Sequence, residues 1–78
     1  MTIKRINKAI KKFNLEVIKG EGYHYFVDIT TREHIGSPVY ISYLKDFTMQ
    51  QWIQEADDAR REYDEMYHEY TEPNEEYI

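Results

Sequence analysis

The stretch Leu15-Glu16-Val17-Ile18-Lys19-Gly20-Glu21-Gly22-Tyr23-His24-Tyr25-Phe26-Val27-Asp28-Ile29 sets two runs of β-branched and aromatic residues around a Gly-x-Gly turn. Such residues suit a pleated, half-buried backbone, and two glycines can turn the chain without steric penalty, so the segment reads as a β-hairpin. Its strands are expected over residues 15–19 and 23–29. Downstream, residues 30–38 read as a polar loop with Gly36 and Pro38, and the alternation of Val39, Ile41 and Tyr43 predicts a third strand over residues 39–44. The result is a three-stranded antiparallel meander.

Helices flank this meander. Ile3, Ile6, Ile10 and Phe13 recur at spacings of three and four and fall on one helical face, with Thr2 as cap and Asn14 as a left-handed stop. On the far side, Phe47-Thr48-Met49-Gln50-Gln51-Trp52 contains a capping box (Thr48 with Gln51) and a hydrophobic residue, Phe47, placed to staple onto Trp52. Met49, Trp52, Ile53, Ala56, Ala59, Tyr63, Met66, Tyr67 and Tyr70 continue one apolar stripe to about residue 70, and Pro73 is expected to end the helix. Its roughly 22 residues would span about 33 Å. A seven-residue strand covers only about 23 Å, so the distal turns are expected to overhang the sheet or pack elsewhere.

The fold class is therefore α+β in the order αβββα, with both helices on one face of the sheet. Residues 1–71 are expected to form a single domain and residues 72–78 an acidic flexible tail. Strand parity places Leu15, Val17, Tyr25, Val27, Ile29, Val39, Ile41 and Tyr43 inward, and Ile18, His24, Phe26, Asp28, Tyr40, Ser42 and Leu44 on the other face. That outer face would be partly apolar, and Phe26 and Tyr40 on it are candidate contacts for a partner or a second copy of the chain.

With 78 residues the chain buries only about 60–65% of the surface it exposes when unfolded, so its stability margin is thin. It has no cysteine, which excludes disulfides and thiolate metal sites and suits a reducing cytoplasm. No apolar run resembles a signal-peptide core or a membrane span, so a soluble, unprocessed protein is expected. Eight tyrosines, three phenylalanines and one tryptophan supply bulk for a small core.

Charge is sorted along the chain. Residues 1–14 carry +5, residues 15–54 carry −2 and residues 55–78 carry −8, for a total of −5. Catalytic signals are missing. His24, His34 and His68 lack metal-ligand spacing, Glu65-x-x-His68 is half of a di-iron motif without its partners, and Gly20 and Gly22 sit inside a hairpin rather than before a helix. Ser37 and Ser42 have no base partner. No enzyme activity, cofactor or metal is expected. The cations Lys4, Arg5, Lys8, Lys11 and Lys12 could neutralise phosphates, but the acidic whole and the lack of interleaved aromatics argue against direct nucleic-acid binding.

The second helix is the more unusual object. At 100° per residue, Glu55, Asp58, Glu62, Glu65 and Glu69 form a narrow band opposite the apolar stripe. Each like-charged neighbour costs about 0.2–0.5 kcal/mol. Selection for stability alone would have mixed in lysines. Arg61 can pair with Asp57, Asp58 or Glu65, and Arg60 with Asp64, so the ladder is flanked by compensation rather than cancelled.

The segments Lys19-Gly20-Glu21-Gly22-Tyr23-His24-Tyr25-Phe26, Ser37-Pro38-Val39-Tyr40 and Phe47-Thr48-Met49-Gln50-Gln51-Trp52-Ile53 resemble a group of small bacteriophage proteins. In that group a "KGxGYxYF" hairpin leads to an "SxVYV" strand and an "LTLEQWI" helix start. The resemblance spans residues 3–66, with Phe47 and Met49 where leucines are usual, and it transfers no catalytic residue. It implies an accessory phage gene product acting in the cytoplasm of an infected bacterial host. By analogy of class, the expected function is inhibition of a host nucleic-acid-handling or defence protein, of anti-restriction or anti-CRISPR type. Glu55, Asp58, Glu62, Glu65 and Glu69 would enter a basic groove as a partial DNA mimic. The alternatives are a small nucleic-acid-binding protein using the first helix and a homodimeric structural or regulatory module.

Overall fold

The computed structural model describes the backbone of residues 1–75 and the side chains of residues 1–66. The element order is α1 (Ile3–Ile10), β1 (Leu15–Lys19), β2 (His24–Asp28), β3 (His34–Val39) and α2 (Met49–Glu75), with single 3-10 turns at Lys11–Phe13 and Leu44–Asp46. This is the expected αβββα arrangement, with an antiparallel sheet in the order β1-β2-β3. No helix among the described residues is long and apolar enough to cross a membrane.

Both ends of α1 follow from its sequence. The Thr2 hydroxyl accepts from the Arg5 N–H at 3.2 Å, and Asn14 closes the 3-10 turn with φ 58°. Ile6 and Ile10 are fully buried, while Lys4, Arg5, Lys8, Lys11 and Lys12 are exposed. The helix also reaches the sheet edge: the Asn7 side-chain oxygen accepts from the Val17 N–H at 2.7 Å.

The core is one cluster beneath both helices, comprising Ile6, Ile10, Leu15, Val17, Phe26, Ile35, Val39, Trp52, Ala56 and Ala59. Parity in β1 is as expected. In β2 it is inverted: His24, Phe26 and Asp28 face the helices, because Val17 pairs with Phe26 and Leu15 with Asp28. Phe26 is 1% exposed and packs edge-on against Trp52, with ring centroids 6.2 Å apart. It belongs to the core and not to an outer docking face.

Both sets of alternate residues in this strand carry large rings, so apolar count alone does not choose between them. The inward histidine and aspartate find polar partners, which removes the penalty for burying them. The tyrosines go outward. Tyr25 stacks with His34 at 4.5 Å, and Tyr23 lies 5.8 Å from Tyr25 and 6.2 Å from Tyr40. Val27 pairs with Glu16 and His34 on this open face and is nevertheless buried.

The third strand lies at His34–Val39 rather than over residues 39–44. The turn before it is built by the Asp28 carboxylate, whose Oδ1 accepts from the backbone N–H groups of Thr30 (2.8 Å) and Thr31 (2.9 Å). With that tight connection the chain pairs at once, Val27 with His34 and Phe26 with Ile35, and the next pair is His24 with Val39. Residues 36–38 therefore bulge from the ladder. An edge strand accommodates this, since Pro38 has no N–H to lose from an inner ladder. Of the residues after the strand, Ile41 is half-buried and Tyr43 exposed, while Leu44, expected on the outer face, packs against the core.

Gly36 has φ +76°, and a Cβ built there would lie 2.7 Å from the Ala59 Cβ on α2. Strand and helix can approach this closely only because neither side chain extends past a methyl. Gly36→Ala combines left-handed strain with overpacking and is expected to destabilise by about 2–3 kcal/mol, read as a lower urea midpoint at unchanged slope.

Helix α2 runs to Glu75, past Pro73 and into the segment expected as a tail. Proline lacks one N–H donor, but its fixed φ near −65° is itself helical, so a late proline weakens a helix without forbidding another turn. Residues 76–78 lie outside the described residues.

Candidate functional site

The start of α2 is fixed as its sequence predicts. The Thr48 N–H donates to the Gln51 Oε1 at 2.8 Å, the Gln51 N–H donates to the Thr48 hydroxyl at 3.1 Å, and Phe47 lies edge-on to Trp52 at 5.2 Å. Trp52, Ala56 and Ala59 then bury the apolar stripe. Tyr63 continues it, packing against the core and donating its hydroxyl to Glu33 Oε2 at 2.8 Å. Met66 is 70% exposed, so the helix has left the body of the protein by that turn. The side chains of Tyr67 and Tyr70 lie outside the described residues.

Because the stripe fixes the rotation of α2, it also fixes where the acids go. Glu55 and Asp58 are half-buried and Glu62 and Glu65 exposed; the Glu69 side chain lies outside the described residues. Glu55, Asp58 and Glu62 run beside the β3 bulge, and with Gly36, Ser37 and Pro38 they line a small groove of about 100 Å³. Asp58, Glu62 and Glu65 continue around Arg61 into an adjoining hollow of about 230 Å³. The structure thus brings three members of the predicted ladder together along one margin of the sheet, with Glu65 following them on α2.

Compensation within this face is uneven. Arg61 pairs with Asp58 at 2.7 Å and with Asp57 at 3.5 Å, and Gln54 donates to Asp58 at 3.0 Å. Asp58 is therefore largely engaged. Glu55, Glu62 and Glu65 form no ion pair with another described residue. Tyr40, the other predicted contact, is 77% exposed but sits at the opposite aromatic face, beside Tyr23.

Arg60 does something the sequence did not announce. Its contact with Asp64 is long, at 3.8 Å, and its main partners are inward: Asp28 Oδ2 at 2.8 Å, the Phe13 carbonyl at 3.0 Å and the Asn14 carbonyl at 3.4 Å. Asn14 in turn donates its side-chain amide to Asp28 Oδ1 at 3.2 Å. The Thr31 N–H, the Arg60 guanidinium and the Thr30 N–H together outweigh burial and hold the Asp28 carboxyl down at about 2. The sequence signal that could have found this hub is Asp28-Ile29-Thr30-Thr31, an aspartate placed to accept from the N–H groups two and three residues on.

Among the described residues no group of three or more His, Asp or Glu side chains is placed to hold a metal ion. His24 is buried beside Trp52, with ring centroids 5.8 Å apart, and His34 stacks on Tyr25. His68, the second half of the Glu65-x-x-His68 pattern, lies outside the described side chains. Compared with known protein families, curated proteins and solved structures, the chain matches none of them.

Proposed function

We propose that this chain is a non-enzymatic binding protein, a bacteriophage accessory product acting in the host cytoplasm. It blocks a host nucleic-acid-handling or defence protein, of anti-restriction or anti-CRISPR type, by presenting the acidic face of α2 to a basic groove. The observation that carries this reading is the uncompensated charge of Glu55, Glu62 and Glu65, three carboxylates on one helix face with no internal ion pair among the described residues. Their repulsion disfavours the helix, and an external set of cations would relieve it.

Successive ladder positions lie about 5 Å apart along the helix axis, against one charge per about 1.7 Å of duplex. The mimicry is therefore partial, copying one edge of a duplex or a short single strand. Steering by exposed charge is screened, so raising salt slows association.

The test is capture from bacterial lysate by wild type and by the triple variant Glu55→Lys, Glu62→Lys, Glu65→Lys. Wild type is expected to retain a nucleic-acid-binding protein, and the variant to fold normally and lose it, with affinity down at least about a hundredfold if each reversal removes about 1 kcal/mol or more. A folded variant that keeps the same target at the same affinity would show these acids to be solvated surface only.

A further inference from the structure

A further concavity differs in character from the acidic face of α2. It is a pocket of about 540 Å³ whose polar lining is Lys19, His24, Ser42, Tyr43 and Lys45, over an apolar floor that includes Ile3 and Leu44. In a chain of net charge −5, two lysines and no acid line it. The volume lies within the range of pockets that take small molecules.

The wall of this pocket is built. Residues 40–47 have little regular structure, yet two buried rings pin them. His24 Nδ1 lies 3.0 Å from the Ile41 carbonyl oxygen, and Trp52 Nε1 donates to the Leu44 carbonyl at 3.0 Å. Ser42 and Tyr43 are held between those two anchors. Lys45 sits over the Tyr43 ring, its Nζ 5.8 Å from the centroid, which places that cation at the rim.

His24 supplies the observation that points to a ligand. The residue is 1% exposed, and a carbonyl can only accept, so Nδ1 carries a proton toward Ile41, and in the neutral ring that leaves Nε2 as the acceptor. Nε2 has no hydrogen-bond partner among the described residues, and no fully buried side-chain nitrogen or oxygen among them lacks one. Nε2 is therefore the ring atom left open, and the pocket is the cavity that His24 lines. An acceptor on a buried ring that shares its pocket with two lysines selects for a molecule with a donor at one end and strong negative charge at the other.

We propose that this pocket binds a small phosphate ester, its phosphate between Lys19 and Lys45 and a hydroxyl or amino group donating to His24 Nε2. The Ser42 hydroxyl, part of the same lining, can donate to a phosphate oxygen. A dianionic group matches two ammonium charges better than a carboxylate does. This site is independent of the acidic face of α2 and stands whether or not that face finds a basic partner.

The test is an NMR titration of isotope-labelled protein with a nucleoside monophosphate (AMP), with inorganic phosphate and with adenosine as separate arms. AMP is expected to produce saturable shifts confined to Lys19, His24 and residues 42–45, and to bind more tightly than either half alone. Lys19→Ser with Lys45→Ser removes two exposed side chains without touching the core, and is expected to weaken AMP about tenfold or more. Lys8→Ser with Lys12→Ser on α1 is expected to change nothing. Shifts spread along the lysines of α1, phosphate or adenosine binding as tightly as AMP, or full affinity in the Lys19/Lys45 variant would each overturn the proposal.

Discussion

Trp52→Ala is expected to remove a large share of the chain's stability. The indole is fully buried and meets three rings edge-on: Phe47 at 5.2 Å, His24 at 5.8 Å and Phe26 at 6.2 Å. It also joins α2 to the loop after β3 through its bond to Leu44. Truncating a buried tryptophan removes about 3–5 kcal/mol. At 0.05–0.15 kcal/mol per residue, a domain of this size holds roughly 4–12 kcal/mol in total. The melting midpoint followed by far-UV circular dichroism should fall steeply. Trp52→Phe separates the two contributions: it keeps a ring in the cavity and removes one of two donors to the Leu44 carbonyl, which still accepts from the Phe47 N–H at 3.3 Å, so a milder loss of about 1 kcal/mol is expected.

The second large effect belongs to Asp28. Asp28→Ala leaves Arg60 partly buried without its carboxylate and two backbone N–H groups without an acceptor, and is expected to remove about 2–4 kcal/mol. The same group makes the fold sensitive to acid. Its carboxyl is held at about 2, below its ordinary value of 3.8, so the unfolded chain takes up a proton first as pH falls. The stabilisation is fully present above about pH 5, declines as pH falls through 4, and is gone once pH passes below about 2. Asp28→Asn cannot titrate there. Urea midpoints of wild type and Asp28→Asn, measured between neutral pH and pH 2, are expected to converge as pH falls, and parallel curves would show that Asp28 is not the group responsible.

The parts of this fold that were legible in the sequence are those written in local chemistry. Thr48 and Gln51 announced the start of α2, the isoleucines at 3, 6 and 10 announced α1, and Gly20 and Gly22 announced the first hairpin. Each of these depends on residues within a turn or two of one another. The parity of β2 was not legible, because its alternatives differ in where polar groups find partners: His24 in Ile41 and Asp28 in Arg60, 17 and 32 residues away. Nor was the position of β3. Gly36 and Pro38 ordinarily mark a loop, and here they mark a bulged edge strand lying against Ala59.

The acidic ladder was readable as a helical spacing, and three of its five members are found on one margin of the sheet, with Glu65 following on α2. What spacing could not reveal was which acids are already engaged. That depends on Arg61 leaning toward Asp58 and Asp57 rather than Glu65, and on Arg60 turning inward to the first hairpin and to the end of the 3-10 turn after α1. The pocket around His24 was invisible for a similar reason. Its walls come from β1, β2 and an irregular segment, and no spacing in the chain connects Lys19 with Lys45.

A three-stranded sheet has two borders, and each is an invitation for another chain to add a strand and begin an aggregate. Here both borders are obstructed. On β1, the Val17 N–H is already taken by the side chain of Asn7, and α1 lies against that strand. On β3, Pro38 lacks a donor and the Gly36 bulge breaks the regular spacing that an incoming strand would need to follow. A small protein with a thin stability margin, no disulfide and two β-rich hairpins would otherwise be a ready seed for cross-β assembly, and these three residues close the route by which it would start.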